Sequence, residues 1–452
     1  MAQLYSRLAA LLSFNWAQAR GVFKILAVYR ILRNWVRIGL LGSSCLGVAM
    51  PLRANSNYET VFEAVWDDIA QSYYDPDFGG KNWRSIGEKY RNRLGTLDER
   101  EDFDALLSEM LGELGDSHFS VISPSFNELM PNPWQRADSG ITLAIVGNRP
   151  IIHRVRPESR AALNGIKPGY ELVSADSMTV QSLGSLVDEA DVFDRTAPYY
   201  FLKAIENRLY GPPGRKIELL VKPARFSRTR SYSIELQEYS GRMSLPLGNM
   251  GESPIEIDKR ILENNVAYIR FNLWVPSLME EIRTYIKSID ESVKGLIIDI
   301  RGNPGGIGLM ATGLAGMLVD DEYLMGTMRL RQGHLNYNVY PQKGAFLGPL
   351  AILVDNNSIS TSEIFAADMK ETGRGRVFGS RTPGAALPSL FKRLPNRYFL
   401  QMAIADYGTA NGTRIEGVGV DPDFKVELSP ARLRQGRDNV IEAAQKWILR
   451  QN

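Results

Sequence analysis

A chain of 452 residues with a single cysteine and only three histidines has little of the chemistry that thiols and imidazole-held metals supply. The cysteine, Cys45, lies in the N-terminal segment. Cleavage near Ala49 or Ala54 would leave no disulfide, no cysteine nucleophile and no cysteine metal site. Residues 1–54 lack any acidic residue but hold Arg7, Arg20, Lys24, Arg30, Arg33, Arg37 and Arg53. Without those seven the chain has 46 basic against 51 acidic residues, which makes no case for nucleic-acid binding. Neither G-x-x-x-x-G-K-[ST] nor the G-x-G-x-x-G spacing occurs, so no nucleotide or other cofactor is expected, and no metal.

An apolar stretch of 13 residues, Ile38 to Met50, follows the basic segment and is itself followed by small and polar residues. That is the order of a secretory signal, and the stretch is too short for an ordinary membrane span. The expectation is an exported protein, periplasmic or secreted. A membrane-surface helix within Leu8–Val36 is the alternative reading of the segment, giving membrane association. Gly42-Ser-Ser-Cys45 lacks the large apolar residue of a lipoprotein signal.

Length and 44% hydrophobic content allow two to three domains. From Asn57 to Leu114 the apolar spacing is helical, with Val61, Phe62, Val65, Trp66 and Ile69 in one stripe and Phe103, Leu106, Leu107, Met110, Leu111 and Leu114 in another. This predicts a helical domain over 55–125. Beyond residue 260, strands at Val266–Phe271, Leu296–Ile300 and Leu350–Val354 alternate with helical patterns, which predicts an α/β core over 255–430. Residues 431–452 carry a final helix.

Two strand ends hold the chemistry. Asp355-Asn-Asn-Ser-Ile-Ser-Thr-Ser-Glu-Ile-Phe365 places small hydroxyl residues between an apolar strand and a helix. Ser360 then sits at a helix N-terminus, where unpartnered N–H groups and the dipole favour a developing oxyanion. Gly295-Leu-Ile-Ile-Asp-Ile-Arg-Gly-Asn-Pro-Gly-Gly306 is a second strand ending in a glycine turn. There Gly305 or Gly306 can bring a bare N–H to an oxyanion, joined by Thr361.

With Phe62-Glu-Ala-Val-Trp66, Tyr73-Tyr-Asp-Pro-Asp77, Leu114-Gly-Asp-Ser-His118 and Ile415-Glu-Gly-Val-Gly-Val-Asp-Pro-Asp423, the two stretches resemble, in order, the signatures of the tail-specific, or C-terminal processing, serine peptidases and their tricorn relatives. The resemblance implies a crotonase-like ββα-spiral core rather than a doubly wound sheet. Residues 138–237 resemble an inserted PDZ domain, in which Gly140-Ile-Thr-Leu143 would receive a peptide carboxylate and the neighbouring sheet edge a peptide strand.

The family nucleophile falls on Ser360. The lysine that many members carry after a Thr-x-Gly turn is Ala385 here, in Thr382-Pro-Gly-Ala385, and a methyl group cannot take a proton. Lys370 and Lys392 read as solvated surface charges. The resemblance to lysine-lacking, tricorn-like members instead implies His118 as base, supported by Ser117 and Glu416. Adjacent strand residues face opposite ways, so Ser117 and His118 can serve together only if the backbone turns between them. Asp116 is expected to cap local backbone, and His153 and His334 have no functional support.

The expected function is therefore a cell-envelope serine endopeptidase acting on unfolded or C-terminally recognised polypeptides. The alternative is an inactive protein of the same fold that binds peptides or apolar ligands.

Overall fold

The computed structural model describes residues 56–97, 99–123, 137–189, 197–246 and 252–451. The leader expected over 1–54, Cys45 with it, lies outside the described residues, as do 124–125.

The two N-terminal stripes form helices Ser56–Ser72 and Arg100–Gly112. Val61, Phe62, Val65 and Ile69 of the first bury against Phe103, Leu106, Leu107 and Met110 of the second. Neither helix can hide an apolar stripe alone. The same buried cluster takes in Leu400, Met402 and Ala403 from the distant strand Phe399–Ala403. The short strand Ser120–Ile122 pairs antiparallel with that strand. The residues just before it, Asp116 to His118, are thereby fixed against the C-terminal half.

Between 141 and 235 a six-stranded sheet has five strands in the order Ile141–Val146, Arg149–Val155, Glu171–Ala175, Lys216–Lys222 and Arg230–Glu235, with Ile141–Val146 at an edge and Met178–Thr179 paired to Glu171–Ala175 off this path. Helices Val180–Glu189 and Ala197–Glu206 accompany them, and the unit has its own buried cluster.

The third body is a six-stranded sheet ordered Ile257–Leu262, Val266–Phe271, Gly295–Asp299, Leu350–Val354, Arg376–Gly379 and Phe424–Lys425. Its first pair is antiparallel and the rest are parallel. Gly295–Asp299 and Leu350–Val354 are buried throughout, as expected of parallel strands covered on both faces. Helices Pro276–Lys287 and Thr361–Glu371 pack on one face and Asn439–Ile448 on the other. A short helix, Leu309–Ala315, follows the glycine turn. Because Gly295–Asp299 and Leu350–Val354 are parallel neighbours, their C-terminal ends emerge side by side, and the Arg301–Gly306 turn meets the Asp355–Ser360 corner.

A buried charge network joins the second and third bodies. Arg301 donates to Asp299 at 2.6 Å and to Asp438 at 2.9 Å. From the other body, Arg154 donates to the Tyr268 hydroxyl at 2.8 Å, which donates in turn to Asp299 at 2.8 Å. Burial by itself would raise the Asp299 carboxyl, but Arg301, with Arg154 and Arg270, overcomes it and holds the group well below the usual carboxylate range. This contribution to stability is complete above the unfolded carboxylate range and is lost as pH falls through the depressed folded value. Arg301→Ala leaves Asp299 buried without its main counter-charge. It should cost about 3–5 kcal/mol in denaturant unfolding at neutral pH.

Candidate active site

The three serines of the corner have different tasks. Ser358 Oγ donates to the Ile300 carbonyl at 2.8 Å, and Ser362 Oγ donates to the Asn303 carbonyl at 3.0 Å while accepting from Trp274 Nε1 at 2.9 Å. Both are fully buried and tie the corner to the glycine turn. Ser360 is only half-buried and is the N-cap of the Thr361–Glu371 helix, with φ 58° and ψ −118°. Left-handed φ in a non-glycine residue is costly, and such strain gathers at sites where a side chain must be aimed.

Asn303 organises the turn. Its amide donates to the Phe271 carbonyl at 3.0 Å, its carbonyl receives the Ile359 N–H at 3.0 Å, and its Oδ1 receives the Gly305 N–H at 2.9 Å. The Gly305 amide, expected as an oxyanion donor, is thus already engaged. Gly306 and Thr361 N–H have no acceptor among the described residues. The Thr361 hydroxyl donates to the Gly306 carbonyl at 3.0 Å, which holds the two amides in one neighbourhood.

His118 has φ 62°, and this reversal puts its ring on the same side as the preceding serine. Ser117 Oγ lies 2.6 Å from His118 Nδ1 and donates to Glu416 Oε2 at 3.0 Å, while the Ser117 N–H donates to Glu416 Oε1 at 2.8 Å. A hydroxyl has one proton. If it goes to the carboxylate, Ser117 must accept from Nδ1–H, and the neutral ring keeps its Nε2 lone pair free. Desolvation lowers the His118 pKa from 6.5, to about 4. The ring is half-buried rather than sealed, and the direction suffices to make it a neutral imidazole at neutral pH. Burial raises the Glu416 carboxyl, opposed by hydrogen bonds from Ala386 N–H and Ser117.

A single peptide unit links this relay to the serine corner. The Ala385 carbonyl receives the Ser360 N–H at 3.0 Å, and the N–H on the other side of the same peptide, from Ala386, donates to Glu416 Oε2 at 2.8 Å. Glu363 secures the segment from below, accepting from Thr382 Oγ1 at 2.6 Å, Gly384 N–H at 2.7 Å, Ala385 N–H at 2.9 Å and Ser360 N–H at 3.2 Å. Burial pushes the Glu363 carboxyl up to about 7 against those donors. The Ser360 hydroxyl and the His118 ring are not hydrogen-bonded to each other in this structure.

Asp116 does not cap local backbone as expected. Its carboxylate accepts from the Tyr73 and Tyr74 hydroxyls at 2.6 and 2.7 Å and from Arg414 at 3.3 Å, and so braces the His118 loop between the helical body and the Glu416 segment. Lys370 donates to the Asp421 carbonyl at 2.6 Å and Lys392 pairs with Asp68, so each has a fixed partner. His153 is buried 3.4 Å from Asp438, and His334 is exposed in its strand.

The Gly140–Leu143 loop is also partly engaged. Gly140 N–H donates to Asp138 Oδ1 at 2.8 Å and Ile141 N–H to Ser139 Oγ at 3.3 Å, so a carboxylate of the chain itself occupies the first amide of the expected peptide-carboxylate site. Among the described residues no group of three or more His, Cys, Asp or Glu could hold a metal ion.

Residues 265–426 match the model of peptidase family S41, and residues 54–112 match the tricorn protease C1 domain. A chloroplastic C-terminal processing peptidase of Tetradesmus obliquus is 24% identical over 394 residues, 84% of this chain and 80% of its own length. A carboxyl-terminal-processing protease of a Picosynechococcus species is 25% identical over 376 residues, 81% of this chain and 82% of its own. The fold is shared with the solved photosystem II D1 C-terminal processing protease, at a TM-score of 0.57 and 21% identity over 83% of this chain and 94% of that one. The findings together support a C-terminal processing peptidase of the S41 type.

Glu363, Asn303 and Asp116 carry the frame of the site, and sequence reasoning did not assign them these tasks. Ser360-x-x-Glu363 has the spacing of a capping box, the one signal that points to Glu363. Gly305 offers a direct test of the frame, because with φ 97° a Cβ there would lie 2.8 Å from the Ser360 Cβ and 2.9 Å from the Ile359 carbonyl. Gly305→Ala should destabilise the fold by more than about 1 kcal/mol and slow labelling of Ser360 by a fluorophosphonate. Wild-type stability and labelling in this variant would show that the close approach is not needed.

Proposed function

We propose that this protein is an exported serine endopeptidase that cuts flexible or C-terminally presented polypeptides through an acyl-enzyme, with Ser360 as nucleophile and His118 as base. The observation that carries this reading is the Glu416–Ser117–His118 chain, which leaves Nε2 as the open lone pair. Ser360 Oγ attacks the scissile carbonyl carbon as its proton passes to Nε2. The imidazolium that forms keeps Nδ1–H on the Ser117 oxygen, whose own proton faces the Glu416 carboxylate. The new oxyanion falls to the Gly306 and Thr361 amides, and the Thr361–Glu371 helix directs its positive end to the same place. The carbon–nitrogen bond then breaks, the amine leaves with the imidazolium proton, and water releases the acyl group by the reverse relay. Unliganded sites often show the catalytic hydrogen bond unformed until substrate is bound.

On this reading the core is a crotonase-like spiral and residues 138–237 form a PDZ-like domain inserted before it. The position of Ile141–Val146 at the end of its sheet supports recognition of an extended peptide by strand addition. Ile141, Thr142 and Leu143 would contribute to it, while Gly140 is held by Asp138. The N-terminal basic and apolar segment supports export, and among the described residues no helix is long and apolar enough to cross a membrane.

A fluorophosphonate should label the wild type and not Ser360→Ala, and the variant should lose peptide hydrolysis while keeping its fold. The acylation rate should rise with pH as His118 gives up its proton, with its midpoint below 6.5 because desolvation lowers that pKa. A midpoint near the lysine range, about pH 10, would overturn the histidine assignment.

A further inference from the structure

The hairpin joining Lys216–Lys222 to Arg230–Glu235 stands out in a chain whose charge after residue 54 is net negative. From Leu219 to Ile234 it contains Lys222, Arg225, Arg228 and Arg230 and no acidic residue. At its tip Phe226 is 94% exposed, with the Arg225 guanidinium over its ring at 5.5 Å. The turn is closed by Ser227 N–H to the Ala224 carbonyl at 3.0 Å and by Ala224 N–H to Ser227 Oγ at 2.9 Å, so the aromatic is held outward. Beside the tip is a cavity of about 160 Å³ whose lining includes Arg149, Lys222, Arg225 and Arg434, the last donating to the Gly169 carbonyl at 2.9 Å, with Glu171 as the one acidic residue. Glu171 is already paired with Arg149 at 3.1 Å.

We propose that this tip is a docking surface for an anionic phospholipid bilayer. A convex turn with an aromatic at its apex and cations on its flanks matches the interface of such a membrane, where rings sit at headgroup level and arginine and lysine meet phosphate. The basic concavity beside the tip fits a phosphate headgroup while Phe226 enters among its neighbours. An acidic polypeptide would be drawn by the same charges, but it has no use for a lone ring projecting from a convex surface. This surface is separate from residues 1–54 and does not depend on the peptidase reading.

The test is made on the full chain carrying Cys45→Ser and Phe226→Cys, labelled at residue 226 with an environment-sensitive nitrobenzoxadiazole. A second chain, with Cys45→Ser and Glu291→Cys, carries the label in an exposed turn as control. Vesicles of phosphatidylglycerol and phosphatidylcholine should shift emission at residue 226 to the blue, and added salt should reverse it. The control position, phosphatidylcholine vesicles, soluble glycerol phosphate and polyglutamate should give no shift. Arg225→Glu combined with Arg228→Glu should weaken vesicle binding read at residue 226 about tenfold or more. No shift at residue 226 while the chain sediments with anionic vesicles would overturn the proposal and leave binding to the N-terminal segment. An equal shift with polyglutamate would overturn it in favour of an acidic protein partner.

Discussion

The peptide unit between Ala385 and Ala386 is the constraint on which the site depends. Its carbonyl fixes the strained amide of Ser360, and its N–H fixes the carboxylate that holds Ser117 and, through it, His118. Ser360 and His118 come from segments more than two hundred residues apart, and neither holds the other directly. Two buried carboxylates clamp this short segment, Glu363 on one side and Glu416 on the other. Each would be costly to bury alone. Each is tolerable because backbone and hydroxyl donors surround it. Ala385 is 3% exposed, so a long cationic side chain there would begin in a buried setting.

Much of this was legible in the sequence because it follows from local rules. Apolar strands ending in Asn303-Pro-Gly-Gly306 and in Ser358-Ile-Ser360 announce strand–turn–helix corners, and the structure puts both at the ends of neighbouring parallel strands. The Thr361–Glu371 helix begins where a Ser-Thr-Ser-Glu run predicts. The pairing of Ser117 with His118 could not be settled from strand periodicity, since it rests on the φ of 62° at His118. Periodicity is silent about one reversed residue.

The rest depended on long-range partners. Asp116 was expected to serve its own backbone but is shared by Tyr73, Tyr74 and Arg414, which lie about forty and three hundred residues away. The Gly140 loop reads as an open carboxylate acceptor, yet Asp138, only two residues before it, folds back onto the amide with Arg156 at 2.9 Å on its other oxygen. The stripe in the N-terminal helices predicted their packing. That their core is completed by Leu400 and Met402 was beyond any local pattern. That shared core seats the His118 loop on the sheet that carries the Ala385 segment.

The central claim is that an imidazole held by Ser117 and Glu416 is the base for Ser360 and that Ala385 belongs to this arrangement rather than to a decayed lysine site. The most direct measurement is peptide hydrolysis by wild type, Ala385→Lys, and Ala385→Lys combined with His118→Ala. The account predicts an active wild type, a less active Ala385→Lys because a charged chain is placed at a buried position, and an inactive double variant. An inactive wild type with hydrolysis restored in both lysine variants, including the one without His118, would contradict it.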